Sequence, residues 1–211
     1  MASLKRSLIG CQYVLLVIGF LALGYCALTV AETKFYQRWA YEELRSSKAE
    51  PPSFDRTENE SIANTLDSAL QRNGFYAGLN QNPPLAEIEI PRIHVSAMVT
   101  EGASARALKL AVGHIPGTAL PGQTGNVALA GHRDTFFRQL ENVRPGDVIK
   151  LTTYNGQYLY QVRYTKIVSP DATWALNPSP SKSQTLTLVT CYPFYYVGAA
   201  PKRFVVRASR L

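Results

Sequence analysis

The N-terminal part of the chain contains an apolar run that is too long for a β-strand. Residues 8–31 are 24 consecutive positions interrupted only by Gln12 and by small or hydroxyl residues. As a helix this run is about 36 Å long, and a bilayer core of about 30 Å requires about 20 residues. The sequence therefore predicts one transmembrane helix over residues 8–31.

The residues around this run predict its orientation. Lys5 and Arg6 precede it, and the positive-inside rule places residues 1–7 in the cytoplasm and the rest of the chain outside a cell membrane crossed once. The competing interpretation is a cleaved signal peptide, whose apolar core is shorter, about 7–15 residues. Weak small-residue cleavage sites near Ala27 and Ala31 keep that alternative open.

Residues 32–83 are predicted to separate the membrane from a folded domain. Residues 32–46 continue the helix, carry aromatic side chains suited to the membrane interface, and are expected to form an exposed stalk. Residues 46–59 are polar and contain two consecutive prolines, which is typical of a linker. A four-residue apolar spacing predicts a short helix over residues 61–70.

From Pro84 onward the pattern is that of short strands. Residues 86–90 alternate apolar and acidic side chains, as a half-buried strand does, and residues 126–130 form a short buried run. Residues 105–112 have room for one or two helical turns. Five or more short strands with turn signals between them predict an all-β barrel or sandwich with short helices over residues 84–211.

One hairpin is predicted with its turn type. The dipeptide Asn155-Gly156 separates two strand-like runs, residues 147–154 and 157–168. A type I′ turn requires positive φ at both central residues, which asparagine and glycine tolerate best. We therefore expect a two-residue type I′ hairpin centred on this dipeptide.

The last strand pair carries the residues suited to chemistry. Residues 185–190 are β-branched or apolar and predict a strand, with Cys191 at its C-terminal end. Pro193 has no N–H to donate and interrupts the ladder, and Arg203 opens the next strand. The thiol lies at the end of one predicted strand and the guanidinium at the start of the next. The two strands would therefore form a rigid scaffold that exposes both reactive groups.

Cys191 is the one cysteine outside the apolar run, since Cys11 and Cys26 lie within it. A lone external thiol is either a buried, inert residue or a reactive one. A free thiol has a pKa of about 8.5 and only its thiolate attacks, so a nucleophile at this position needs nearby cations. Arg203 is one candidate for that role, and His132 is another, with His94 and His114 as its alternatives.

These residues resemble the sortase family. Residues 187–191 read Thr-Leu-Val-Thr-Cys and match the family's TLxTC motif, His132 stands upstream in Gly-His-Arg-Asp-Thr, and Arg203 follows in Ala-Pro-Lys-Arg-Phe. The residues of these motifs are most similar to those of the class D branch. The resemblance covers residues 84–211 and the membrane anchor, and it implies an eight-stranded β-barrel of the sortase type preceded by one transmembrane helix.

The resemblance also implies a mechanism. Cys191 attacks the Thr–Gly bond of an LPxTG-like sorting signal and forms a thioacyl-enzyme, while His132 acts as general acid and then general base, and Arg203 stabilises the substrate carbonyl. The expected partners are surface proteins with a C-terminal sorting signal and an amine acceptor, either a cell-wall precursor or a pilin lysine. No cofactor is implied.

The other two histidines are alternatives to His132. His94 is expected in a strand and His114 in a loop. His132 is preferred because it ends a predicted strand and is followed by the Arg-Asp-Thr of the class D wording. Three scattered histidines and one external thiol lack zinc-site spacing, so no metal is expected.

The charge distribution bears on the partners. Residues 84–211 hold 14 Lys and Arg against 7 Asp and Glu, whereas residues 1–83 hold 8 of each. A basic domain held beside a membrane favours lipid head groups and anionic wall polymers. Nucleic acid is not expected, because no clustered run of Lys and Arg occurs.

Two other functional classes remain open on sequence. An L,D-transpeptidase places a histidine and a glycine directly before its cysteine, whereas Val189 and Thr190 precede it here. A membrane-tethered binding module without chemistry would not require the thiol. Tyr192, Tyr195 and Tyr196 after the cysteine either line a substrate groove or pack the end of the barrel.

Overall fold

The structure is a computed structural model that describes residues 2–46, 83–177 and 183–211. The chain divides into two compact units, Met1–Tyr36 and Gln37–Leu211. The first unit is helical, and the second contains the β-barrel. The helix predicted over residues 61–70 lies outside the described residues.

The helix α1 (Ala2–Ser46) forms the first unit and continues into the second. Its segment Gln12–Ser46 is long and apolar enough to cross a membrane, with a mean hydropathy of 2.4 over its most apolar window. None of that window is buried, as expected for side chains whose solvent is lipid. The finding agrees with the prediction of one N-terminal membrane-spanning helix.

The last turns of α1 are part of the second unit and pack on the barrel. The carboxamide of Gln37 accepts a hydrogen bond from the Met98 main-chain N–H at 2.8 Å and donates to the Leu110 carbonyl at 2.7 Å. Ala40 and Leu44 are buried. The expectation of an exposed stalk is therefore wrong for this segment, because the side chain of Gln37 satisfies main-chain groups of the barrel.

Eight strands close into a barrel in the order β1-β2-β3-β4-β7-β8-β6-β5, which confirms the predicted architecture. The β2–β3 and β4–β7 pairs are parallel and the others are antiparallel. The strands are β1 (Pro84–Ile90), β2 (Val95–Glu101), β3 (Val112–His114), β4 (Gly125–Ala130), β5 (Val148–Thr153), β6 (Gly156–Val168), β7 (Gln184–Tyr192) and β8 (Lys202–Arg210).

Short helical segments connect some of these strands. The helix α2 (Ala105–Leu110) begins after Ser104, whose hydroxyl accepts the Ala107 N–H at 3.2 Å and so caps the first turn. In the described part of the chain, 3-10 turns lie at Pro91–Ile93, Arg138–Asn142 and Thr173–Leu176. Ile93 and Leu140 of the first two turns are buried and join the strands in the main core cluster.

The period-two alternation of the strands separates the core from the outer surface. On β7, Leu186 and Leu188 belong to the core inside the barrel, and Val206 of β8 does as well. Val189, which follows Leu188, packs with Val205 in a separate outer cluster. Because alternate side chains point to opposite faces, Cys191 projects from the same outer face as Val189.

The hairpin between β5 and β6 is present, but its turn differs from the prediction. Thr153 pairs with Gly156, so Tyr154 and Asn155 are the central residues. Gly156 has φ 137°, whereas His94 is the non-glycine with positive φ among the described residues, so the type I′ assignment is wrong. The Thr153 hydroxyl accepts the Asn155 N–H and donates to the Gly156 carbonyl, both at 3.1 Å.

Candidate active site

Two of the three candidate residues face each other across neighbouring strands. Cys191 near the end of β7 is paired directly with Arg203 near the start of β8. Side chains at directly opposed antiparallel positions project from the same face of the sheet. Cys191 carries a free thiol and is partly exposed, so a substrate can reach it.

The guanidinium of Arg203 is held by its own segment. Its Nη1 donates to the Ala200 carbonyl at 3.1 Å and to the Lys202 carbonyl at 3.0 Å. Arginine stays charged at physiological pH and has five N–H donors. The arrangement therefore fixes one positive, donor-rich group on the face that carries the Cys191 thiol.

His132 reaches this face through the parallel pairing of β4 with β7. Ala130, the last residue of β4, lies opposite Val189. Each β4 residue faces the β7 residue 59 positions later, and that offset also separates His132 from Cys191. The Gly131 N–H extends the ladder by donating to the Val189 carbonyl at 3.2 Å. His132 thus follows β4 at the level of the cysteine.

The main chain around His132 is fixed from two sides. The buried hydroxyl of Thr190 donates to the Gly131 carbonyl at 2.7 Å, and the Phe137 N–H donates to the His132 carbonyl at 3.0 Å. A Cβ on Gly131 would lie 2.7 Å from the Phe137 ring, so this position requires glycine. The histidine side chain itself is exposed.

The other two histidines differ in position from the sequence expectations. His114 is the last residue of β3 rather than a loop residue, and its ring is buried between Glu101 at 2.9 Å from Nδ1 and the Ala119 carbonyl at 3.0 Å from Nε2. His94 is not in a strand but in an exposed left-handed turn before β2. In the barrel, β7 is adjacent to β4, whereas β3 lies one strand and β2 two strands farther away. Of the three histidines, only His132 therefore follows a strand adjacent to β7.

An apolar floor continues this face away from the thiol. Val189 and Val205 form the next rung of the β7–β8 pair. Val205 packs with Val168 and with Ala175 of the 3-10 turn that precedes β7. Val168, Ala175 and Val205 are buried, so this cluster is covered by the 3-10 turn and supports the strands that carry Cys191 and Arg203.

The sequence allows two roles for the tyrosines after Cys191: lining a substrate groove or packing the end of the barrel. Tyr192 stacks on Phe204 with ring centroids 6.4 Å apart, and Phe194 meets the same Phe204 ring edge-on at 5.2 Å. This triad packs the end of the barrel. Tyr195 and Tyr196 are exposed beyond it.

Sequence reasoning missed the residues that hold the catalytic candidates in place. Thr190, Gly131 and Arg133 stand inside the two quoted motifs, next to Cys191 or His132, and that adjacency was the available signal. Their contacts join β7 to the segment after β4 and are absent from local patterns. Among the described residues, no group of three or more His, Cys, Asp or Glu side chains is arranged to hold a metal ion.

Similarity to known proteins agrees with this geometry. A family model described as Sortase domain matches residues 88–211. Sortase D of Bacillus subtilis (strain 168) is 30% identical over 197 residues, which cover 93% of this chain and 96% of that protein.

Two solved structures share the fold. The Clostridium perfringens Sortase D5 transpeptidase superposes with a TM-score of 0.62 at 26% identity, covering 83% of this chain and 98% of that one. A lid mutant of Sortase A from Corynebacterium diphtheriae gives a TM-score of 0.57 at 31% identity, covering 62% and 72% of the two chains. The chain belongs to the sortase family and is a cysteine transpeptidase that anchors surface proteins.

Proposed function

We propose that Cys191, His132 and Arg203 are the catalytic residues for transpeptidation at an LPxTG-like sorting signal. The observation that carries the proposal is their convergence at one end of three adjacent strands, β4, β7 and β8. A nucleophile, a proton carrier and a fixed cation at one exposed face are the groups that acyl transfer requires.

The first half of the reaction forms the thioester. The Cys191 thiolate attacks the carbonyl carbon of the threonine in the Thr–Gly bond, and the developing oxyanion is stabilised by Arg203. The C–N bond then breaks, and protonated His132 gives its proton to the departing glycine amine. The products are a thioacyl-enzyme and the released C-terminal part of the signal.

The second half transfers the acyl group. An incoming primary amine loses a proton to His132 and attacks the thioester carbonyl. The C–S bond breaks, the Cys191 thiolate is regenerated, and a new amide joins the surface protein to its acceptor. Water in place of the amine would give hydrolysis instead.

The proposal includes a position in the cell, with residues 1–7 in the cytoplasm and the barrel outside a membrane crossed once. It is supported by Lys5 and Arg6, which precede the apolar segment, through the positive-inside rule. The substrates are then surface proteins that emerge with a C-terminal sorting signal. The acceptor is an amine of a cell-wall precursor or of a pilin lysine.

The test is acyl-enzyme capture by intact mass. The full chain in detergent micelles would be incubated with a panel of peptides that vary each residue of an LPxTG-like signal. A mass increase equal to the peptide's N-terminal part through threonine, removed by hydroxylamine, would establish the thioester and identify the preferred signal. Addition of an amine should convert the adduct to a free transpeptidation product.

Two cysteine variants provide the control for that experiment. Cys191→Ala should form no adduct, and the double variant Cys11→Ala with Cys26→Ala should form it as the wild type does. An adduct that survives in Cys191→Ala contradicts the assigned nucleophile. No adduct with any peptide, together with a Cys191 thiol that resists alkylation in the folded chain, would favour a binding module.

A further inference from the structure

Arg133 directly follows His132 and reaches across to the segment that follows Cys191. Its Nη1 donates to the Pro193 carbonyl at 3.0 Å, and its Nη2 donates to the Tyr196 carbonyl at 2.6 Å and the Gly198 carbonyl at 3.3 Å. Its guanidinium carbon also lies 5.7 Å from the centroid of the Tyr196 ring. One side chain thus contacts three main-chain acceptors of one loop.

This loop, residues 193–201 and here called the post-cysteine loop, connects β7 to β8. Much of it is exposed, and the side chain of Val197 is 98% accessible, so core packing does not hold its tip. Its other contact with the segment after β4 is Tyr195, whose hydroxyl donates to Glu141 at 2.8 Å and whose ring lies under Arg138 at 5.8 Å. Phe194 packs on Phe204 and the Ala200 carbonyl accepts from Arg203, and the residues that follow His132 supply the contacts nearest the tip.

The chemistry of the contacts explains why an arginine stands at this position. Three carbonyl acceptors spread over six residues need several donors in one rigid plane, and a guanidinium provides five N–H groups on a planar fork. A lysine has a single nitrogen on a flexible stem and cannot reproduce the fork. Every hydrogen bond that the described residues give Arg133 goes to a main-chain carbonyl.

The contacts connect the proposed general acid to the nucleophile. Gly131, before His132, is tied to β7 by the Thr190 hydroxyl and the Val189 carbonyl. Arg133, after His132, is tied to the loop that begins two residues beyond Cys191. His132 is thus held on both sides by main-chain segments that flank the cysteine.

We propose that Arg133 is a positioning residue for the transpeptidation: it fastens the post-cysteine loop to the main chain of His132 and so sets the histidine against the Cys191 thiol. This inference rests on the proposed catalytic roles of Cys191 and His132. Arg133 itself touches no substrate in this account and acts through the two segments that it joins.

The test is a single-turnover measurement on the full chain in detergent micelles with the best peptide from the panel. Arg133→Gln and Arg133→Ala should lower the first-order rate constant of acyl-enzyme formation about 10- to 100-fold, since small misplacements of reacting groups have effects of that order. The amplitude, which counts active molecules, should stay at the wild-type value. Arg133→Lys should fall between these variants and the wild type.

Two controls separate positioning from loss of structure. Arg138→Gln removes a cation that contacts the same loop through the Tyr195 ring, without removing any of the three hydrogen bonds to the loop's carbonyls. It should stay within about threefold of the wild-type rate constant. Alkylation of Cys191 by iodoacetamide should also proceed in Arg133→Gln as in the wild type, because the thiol remains on β7. A purely structural role would reduce the amplitude and the Tm and leave the rate constant of the remaining molecules unchanged.

The outcomes distinguish this inference from the proposed function. A wild-type rate constant in both Arg133→Gln and Arg133→Ala, or a loss confined to amplitude, overturns the positioning role and leaves the catalytic assignment intact. If Arg133→Ala fails to fold, Arg133→Gln and Arg133→Lys decide the question by the same criterion. Absence of any adduct in the wild type, or an adduct in Cys191→Ala, overturns both proposals.

Discussion

Cys191 of β7 pairs directly with Arg203 of β8. Farther along the same two strands and on the same face, Thr187 pairs with Arg207. The two arginines project from one face but have different contacts. Arg207 donates to the Thr187 hydroxyl at 2.7 Å and to the Ala175 carbonyl at 3.2 Å, whereas the contacts of Arg203 are with carbonyls of its own strand start. Arg207 thus stabilises the outer face of the barrel, and Arg203 lies opposite Cys191.

This pair allows a matched comparison of two arginines. Arg203→Ala should lower kcat/KM by about 10²- to 10³-fold, the usual effect of removing an oxyanion donor, with little change in Tm. Arg207→Ala should lower the Tm, because it leaves the buried Thr187 hydroxyl and the Ala175 carbonyl without that donor. Steady-state kinetics and thermal unfolding measure the two effects. Equal kinetic losses in both variants would contradict the catalytic role of Arg203.

The three histidines should separate into three phenotypes. His132→Gln should lower kcat/KM by about 10²- to 10⁴-fold at an unchanged Tm, as expected for loss of a general acid–base group. His114→Gln should lower the Tm instead, because its buried ring bridges Glu101 and the Ala119 carbonyl. The exposed His94 should tolerate the same change with neither effect. A large kinetic loss in His94→Gln would contradict the assignment.

Gly131 and Phe137 should be energetically coupled. Gly131→Ala would place a Cβ 2.7 Å from the Phe137 ring and should cost about 1–3 kcal/mol, as overpacking of a core does. Activity should fall as well, because the displaced ring belongs to the residue whose N–H holds the His132 carbonyl. In a double-mutant cycle with Phe137→Leu, the smaller side chain should recover part of the loss. Simple additivity of the two changes would contradict the contact.

Asp147 should account for part of the stability of the barrel against acid. Its carboxylate accepts hydrogen bonds from Arg92 and from the Arg144 N–H at 2.8 Å. The hydrogen bond from Arg92 holds the pKa of Asp147 below its ordinary value. The charged form is therefore favoured in the folded state, so this stabilisation is present above about pH 4 and is lost as the pH falls below it.

The experiment compares wild type with Asp147→Asn by urea unfolding between about pH 7 and pH 2. The variant should be less stable at pH 7, and the difference should shrink as the pH falls through the acid range, because protonation of Asp147 removes the same interaction from the wild type. Asp171 carries a lowered pKa in an exposed turn and provides the control, since Asp171→Asn should change stability far less. A constant difference at all pH values would contradict the linkage.

The sequence predicted the parts of the fold that are encoded locally. The strand that carries Cys191 near its end and the strand that carries Arg203 near its start follow from β-branched runs and a proline break, and the long apolar helix follows from its length. The placement of His132 depends on the parallel pairing of β4 with β7, which no local pattern contains. The family resemblance supplied His132, and the register explains why it lies beside the cysteine.

The wrong expectations have different physical origins. His114 is expected in a loop, yet main-chain pairing with Glu101 of β2 and Leu129 of β4 makes it a strand residue, and this pairing lies outside short sequence windows. The turn after β5 has Tyr154 and Asn155 at its centre, one residue earlier than the Asn-Gly preference indicates.

The docking of Gln37 has a practical consequence for soluble versions of this enzyme. A protein shortened to begin at Pro84 would retain all eight strands but would lose the carboxamide that binds the Met98 N–H and the Leu110 carbonyl. Met98 is buried, so its N–H would either lose its hydrogen-bond partner or have to donate to a water molecule instead. Preparations for crystallisation or for peptide ligation should therefore retain the end of α1 from Gln37, even though the proposed catalytic residues lie far along the chain.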